Sequence, residues 1–574
     1  MDVEQVYPTM MTTVAQYLIE ANVSAIHNLR QDAVFLSILQ TKGIVATEGV
    51  AKLLDKTDHY NSAAVVRCYE ELFEIIVEFV PDKLYLFITL LEQLDEDTCC
   101  VEKFLVLLYP IQLSLLRAPP SCRVQWLEWV LTTVESYIGK MALPEDYEIE
   151  SDEKKMLLSH PYVDIVLRSA RRFCSFYDAL VSSSLWSADN NSLAAFGFHI
   201  LSGPLMHLYV EKFPEAMQIA KSIVSLIDRH SCNVYRLFDW LDESRMSNFL
   251  FKTTEIPENN DVYRPPKLNE RVTVIQLALY YCVKTSNEET FAVFPRVYER
   301  LYVLHKVLFL SVRLLQYAHN AVVRQGLKLA DRFLNAVEDN SIPHQHLEMK
   351  VHFDFVQSMS RLSTLTYIYE NRQLAFTLLK VYLNKFTPLA TYLLYSHVFE
   401  ATENPDVDGE IVSYFRHKLF RCFSAGQLDE FHSGKRLVDL LRCFCRLEKG
   451  EKTDLIKHKS VILSTLHTFV LILGRDTKNE TGVCDHFRYF EEHYFEVLKS
   501  AMELTRKEFH TEIEELLGTQ SNPSCLEDKL NLVVEGEELP PPKTQEKVES
   551  LRRDLRVIDL IQDALDMVYT YARK

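Results

Sequence analysis

The sequence predicts an all-α chain, a HEAT/armadillo-like solenoid of helical hairpins in two halves. Three observations predict it. Only 14 of 574 residues are glycine, well below the usual ~7%, and tight-turn sheet folds need that residue for their φ > 0 positions. Apolar residues recur at spacings of three and four along most of the chain, the mark of helices with one buried face. Short polar or proline-containing breaks separate these segments, so successive helices fold back as antiparallel pairs. The length also exceeds the ~250–300 residues that a single core supports. Helix pairs recurring every ~40–47 residues answer that constraint with a repeat array.

Each element follows from its own pattern. Ala63–Val80 sets Val66, Tyr69, Leu72, Phe73, Ile76 and Phe79 on one stripe, and Pro81 ends the helix because proline disfavours helical geometry in the residue before it. The next helix is expected to bury Leu84, Phe87, Ile88, Leu91 and Leu94. Later helices are expected over Gly326–Val337, Arg372–Phe386, Ile411–Phe423, Lys435–Leu447 and Leu455–Leu473. A last one, Ser550–Tyr571, is expected to bury Leu555, Ile558, Leu560, Ile561, Leu565 and Val568. Three stretches interrupt the series: acidic Pro144–Glu153, Thr253–Glu270 with Arg264-Pro265-Pro266, and the proline-containing Gly518–Lys547. The middle one divides the chain into an N-terminal helical domain over 1–255, a linker over 256–270 and a C-terminal helical domain over 271–574.

Composition narrows the function classes. There are 62 basic against 80 acidic residues, a net charge of −18, and no segregated basic stripe, which argues against nucleic-acid binding. Met1-Asp2-Val3-Glu4-Gln5 lacks the basic start and apolar run of a signal peptide. No uninterrupted apolar run reaches membrane-spanning length. The twelve cysteines form no regular framework, so the chain is expected to be reduced and cytoplasmic. Phosphate-loop, dinucleotide, zinc-protease and nucleophile-elbow motifs are all missing, and the chain is expected to be neither an enzyme nor a cofactor binder.

Cys443 and Cys445, with His417 and Cys422 earlier, are the best metal candidates. Two residues apart on a helix point ~200° apart, so the pair reads as packing cysteine. His344-Gln-His346 reads as the polar start of a helix, and Cys99-Cys100 as ordinary thiols. No metal site is expected.

A further set of residues carries a resemblance. Gly326-Leu-Lys-Leu, Glu338-Asp-Asn-Ser341, Leu347-Glu-Met-Lys350, Tyr382-Leu-Asn-Lys385, Thr453-Asp-Leu455, Thr481-Gly-Val483 and Val533-Val-Glu-Gly-Glu-Glu-Leu-Pro540 occur in order. Earlier come Val65-Val-Arg-Cys68, Pro81-x-Lys83-Leu84 and Leu107-Leu-Tyr-Pro-Ile-Gln112. Together they resemble the glomulin family, over roughly residues 60–570 and most strongly after 320. The resemblance implies a HEAT-like solenoid whose C-terminal half binds the RING subunit of a cullin-RING ubiquitin ligase. Binding there masks the surface where the ubiquitin-conjugating enzyme docks and so inhibits the ligase. Immunophilin and receptor-kinase partners are also implied.

The family's Trp-Phe-Thr-Gly-Pro-Gln stretch appears here as Phe431-His-Ser-Gly-Lys-Arg436. Phe431, His432, Lys435 and Arg436 are therefore expected at the partner interface, with Tyr414, Arg416 and Arg475 as neighbouring contacts. A helical scaffold or trafficking adaptor that takes peptide segments is the rival reading.

Overall fold

The computed structural model describes residues 3–54, 62–95, 101–141, 161–186, 191–208, 213–230, 271–286, 290–366, 368–401, 404–426, 428–429, 431–519, 533–534, 537–538 and 544–573. Their secondary structure is helical apart from one short antiparallel hairpin, Val533–Val534 with Glu537–Glu538, and an isolated bridge between Ile342 and Phe386. Cα packing groups residues 1–329 as one compact unit and 330–574 as a second. The expected linker at 256–270 and the acidic stretch at 144–153 lie outside the described residues.

In the first unit, α1 (Val3–Ile19), α2 (Val23–Asn28), α3 (Ala33–Leu54), α4 (Ala63–Phe79), α5 (Lys83–Asp95), α6 (Val101–Leu116) and α7 (Arg123–Lys140) follow one another. They continue into α8 (Pro161–Ser182), α9 (Asn191–Ser202), α10 (Pro214–His230), α11 (Val274–Lys284) and α12 (Arg300–Leu315). Helices pack against the next or next-but-one, as α3 does with α5, α4 with α6 and α8 with α10. That stacking is what a helical-hairpin solenoid requires.

The α4 stripe is buried as expected at Tyr69, Leu72, Phe73 and Ile76. In α5 the buried face is rotated from the expected one. It runs through Leu86, Phe87, Leu90 and Leu94, while Leu84 is 45% exposed. With apolar residues on most sides of α5, the sequence pattern leaves its phase to the neighbours α3, α6 and α7. Although α3 is long and apolar enough to cross a membrane, its Phe35, Ile38, Leu39 and Val50 are buried and it packs on α1, α4 and α5.

The unit boundary falls inside α13 (Asn320–Asn335). The second unit continues with α14 (Lys350–Leu365), α15 (Tyr369–Lys385), α16 (Pro388–Ala401), α17 (Pro405–Ala425), α18 (Gly434–Phe444) and α19 (Lys459–Arg475). It closes with the single-turn α20 (Phe487–Phe490), a π turn over Glu491–Phe495, α21 (Glu496–Thr519) and α22 (Thr544–Ala572).

Two stretches that carry the family resemblance pair here. The Asn340 amide donates to the Asn384 carbonyl and the Ser341 amide to that of Lys385, both at 2.9 Å, while the Lys385 ammonium meets Asp339 at 2.6 Å. The loop after α13 is thereby fastened to the end of α15. The final helix buries Ile558, Ile561, Leu565 and Val568 as expected. Leu560, expected inside, is 57% exposed.

Candidate functional site

The site residues expected from sequence gather around α17, the turn after it and α19. Asn404 accepts the Asp406 amide at 2.9 Å and Pro405 occupies the first turn, the standard start of a helix. Gly426, with φ of +66°, ends it in the left-handed conformation that a β-carbon disfavours. Gly409 lets α17 and α19 touch closely, because a Cβ there would lie 2.6 Å from the Ser460 carbonyl carbon.

Asp429 organises the turn into α18. Its Oδ1 accepts the Phe431 and His432 amides, each at 2.9 Å, and the His432 Nδ1 at 2.7 Å. Burial works against ionising this carboxyl, yet those donors outweigh it and hold Asp429 below its usual range. Gly434, at φ +62°, donates its amide to the Thr481 carbonyl at 2.9 Å. The turn is thus anchored on the Thr481-Gly482-Val483 loop, whose Asp476 accepts the Glu480 and Thr481 amides.

Within this frame the expected contacts have separate surroundings. Phe431 is only 8% exposed, with its ring 5.9 Å from that of Tyr392 and the Arg436 guanidinium 4.5 Å above it. The ring of His432 stacks on Phe415 at 5.6 Å. Lys435 points outward among the first residues of α18 and is exposed. Tyr414 lies against Asn384 and beneath the Lys418 ammonium, and burial raises its phenol. Arg416 donates to Ser413 at 3.2 Å, and burial lowers its guanidinium.

Arg475 is exposed and covers the ring of Phe420 at 5.6 Å. Phe420 itself is 40% exposed and is the residue that sequence reasoning missed. A signal was present: it stands four residues after Arg416, on the same helix face. His467 on α19, whose imidazole is lowered by burial and then by nearby Arg416, meets α17 at Arg416, and Arg475 meets the same helix at Phe420.

A cleft of about 500 Å³ lies beside α18, lined by Arg442, Cys443, Cys445, Arg446 and His493 among others. Among the described residues no carboxylate lines it, and burial holds the Cys445 thiol well above its ordinary range, which suits packing and not nucleophilic attack. Among the described residues the metal-type cluster is Cys422, Asp429 and His432. Of the cysteines and histidines singled out in the sequence, Cys422 and His432 belong to it, and Cys443, Cys445 and His417 do not.

Residues 252–553, more than half of the chain, match the family model described as "Uncharacterised protein family, YAP/Alf4/glomulin". The chain belongs to this family. Glomulin of Homo sapiens is 26% identical over 278 residues, 48% of this chain and 46% of that protein. Glomulin of Mus musculus is 24% identical over 258 residues, 44% of this chain and 43% of that protein. The matches span a little under half of each relative. Arg416, Phe420, His467 and Arg475 all fall inside the span matched by the YAP/Alf4/glomulin family, as does the Asp429 turn.

Proposed function

We propose that this chain is a non-enzymatic, cytoplasmic regulator that binds the RING subunit of a cullin-RING ubiquitin ligase through its C-terminal half. Bound there, it blocks docking of the ubiquitin-conjugating enzyme. The observation that carries the reading is the exposed pair of Phe420 on α17 and Arg475 on α19, on two helices whose backbones are in contact at Gly409 and Ser460. Aromatic and arginine side chains are the residue types that dominate binding energy at protein interfaces. Helices fixed to one another lose little freedom on binding, so more of the contact energy appears as affinity. Masking needs only steric overlap, with ~800 Å² covered on each partner.

The test uses the full-length chain, a cullin-bound RING subunit and a conjugating enzyme charged with ubiquitin. Dose-dependent inhibition of ubiquitin discharge, relieved by excess conjugating enzyme, is the expected result. Phe420→Ala should weaken binding by roughly 10-fold or more while leaving thermal stability unchanged. Phe431→Ala should instead lower stability by about 3–5 kcal/mol, because that ring is buried. Undisturbed discharge with no complex on gel filtration would retire the masking reading and leave the scaffold or trafficking-adaptor reading in its place.

A further inference from the structure

We propose that Cys422, Asp429 and His432 form a binding site for a zinc-class divalent cation that fastens the α17–α18 turn to the end of α17. The three donor atoms, a thiol sulfur, a carboxylate oxygen and an imidazole nitrogen, lie within 4.8 Å of one another. They come from two places, the last turn of α17 and the turn that Asp429 organises, and the stacking of His432 on Phe415 fixes the plane of its ring.

The spacing fits an ion better than it fits a relay. Cys422 Sγ is 3.9 Å from His432 Nδ1, long for a hydrogen bond. Across a zinc tetrahedron, with Zn–S of ~2.3 Å and Zn–N of ~2.0–2.1 Å, sulfur and nitrogen stand roughly 3.5 Å apart. A small closure therefore brings both onto one ion. A Cys–His–Asp nucleophile requires the thiol and the carboxylate on opposite ring nitrogens. Here both face Nδ1, which does not fit that relay and brings the three donor atoms toward one point. The Phe431 and His432 amides hold the Asp429 carboxylate in place at the turn, so its oxygen reaches the ion without reordering the loop. Water completes four-coordination.

Binding releases the Cys422 thiol proton to solvent. The proton on His432 Nδ1, now held by Asp429, is exchanged to Nε2 so that Nδ1 offers its lone pair. The C-terminal end of α17 adds a favourable partial charge, while Lys418, one turn before Cys422 and close to both acidic groups, opposes the cation. Cys422 and His432 are half-buried and Asp429 is exposed, so an ion reaches the site without unfolding.

The experiment titrates chelator-stripped full-length protein with Zn²⁺ in competition with a chromophoric chelator, and with Co²⁺ by absorbance. One equivalent should bind, with a near-ultraviolet thiolate-to-cobalt charge-transfer band. Cys422→Ser should abolish the band and weaken Zn²⁺ by more than about 10-fold, since losing even a residue that only supports a ligand costs that much. Asp429→Asn should also weaken Zn²⁺ binding, and Cys443→Ser should change nothing. Circular dichroism of each variant keeps a folding defect from passing as a lost site. No uptake by the folded native chain, or uptake and band unchanged in Cys422→Ser, overturns the proposal.

Discussion

Glu135 carries the clearest pH signature in the molecule. It sits half-buried on α7, and burial raises its carboxyl to about 7, with Arg271 pulling the other way and Glu128 adding to the rise. In the unfolded chain the same group ionises near ~4.3. The native state therefore holds the proton where the unfolded state has lost it, and stability falls as pH rises through this window toward 7. Glu135→Gln keeps the shape without the charge. It should raise unfolding free energy by about 1–3 kcal/mol at pH 8 and leave it unchanged at pH 4, read from urea denaturation at both values. An equal effect at the two pH values would mean that the fold leaves the Glu135 carboxyl at its ordinary ionisation.

The same scale explains what the sequence concealed at the candidate site. Phe431 and Phe420 are both aromatic residues near helix ends, and the spacing of Phe420 from Arg416 marks it as a face residue without saying whether that face is covered. Tyr392 and Arg436 close over the first, whereas the Arg475 guanidinium covers part of the second, which stays 40% exposed. Which ring is free to meet a partner is set by residues distant in the chain.

At the scale of elements, two glycines in α17 and α18 act through different physics. Gly409 is a close-approach residue, and Gly409→Ala drives a methyl into the Ser460 backbone of α19. Overpacking of this kind costs about 1–3 kcal/mol, more than the ~1 kcal/mol that alanine returns in helix propensity. Gly434 has open space around its Cβ position but a φ of +62°, so Gly434→Ala costs about 1–2 kcal/mol through backbone strain alone. Asparagine separates the cases, since it tolerates the left-handed region. Gly434→Asn should recover part of the loss in a urea melt, and Gly409→Asn should recover none.

Helix existence was legible throughout this scale, because apolar spacing is a local property. Helix phase was less so. Leu84 and Leu560 stand on apolar stripes yet face outward, since an element with apolar residues on several sides turns toward whichever neighbour packs best.

The whole chain carries a net charge of −18, against which the exposed Arg475 beside Phe420 is a local cation. At ~0.1 M salt the screening length is ~10 Å, so a docking partner responds chiefly to charges close to its contact. Arg475→Glu should slow association with the proposed RING partner by about 10-fold at low salt, and the gap from wild type should shrink at high salt. Stopped-flow association at several ionic strengths measures this. A rate difference independent of salt would show that Arg475 acts by packing over Phe420 and not by its charge.

The sequence by itself determined the all-α class, the alternation of helix and break, and the family, the last through motifs spread along the chain. These follow from glycine scarcity, periodicity and residue order, all readable without knowing which segments touch. Tertiary structure alone decided that Asn340 meets Asn384, that Gly434 docks on Thr481, and that Cys422, Asp429 and His432 converge. It also decided that Phe431 is inside while Phe420 is outside. The reason is range: helical periodicity is fixed by neighbours three and four residues away, whereas convergence and exposure depend on how separate helices pack.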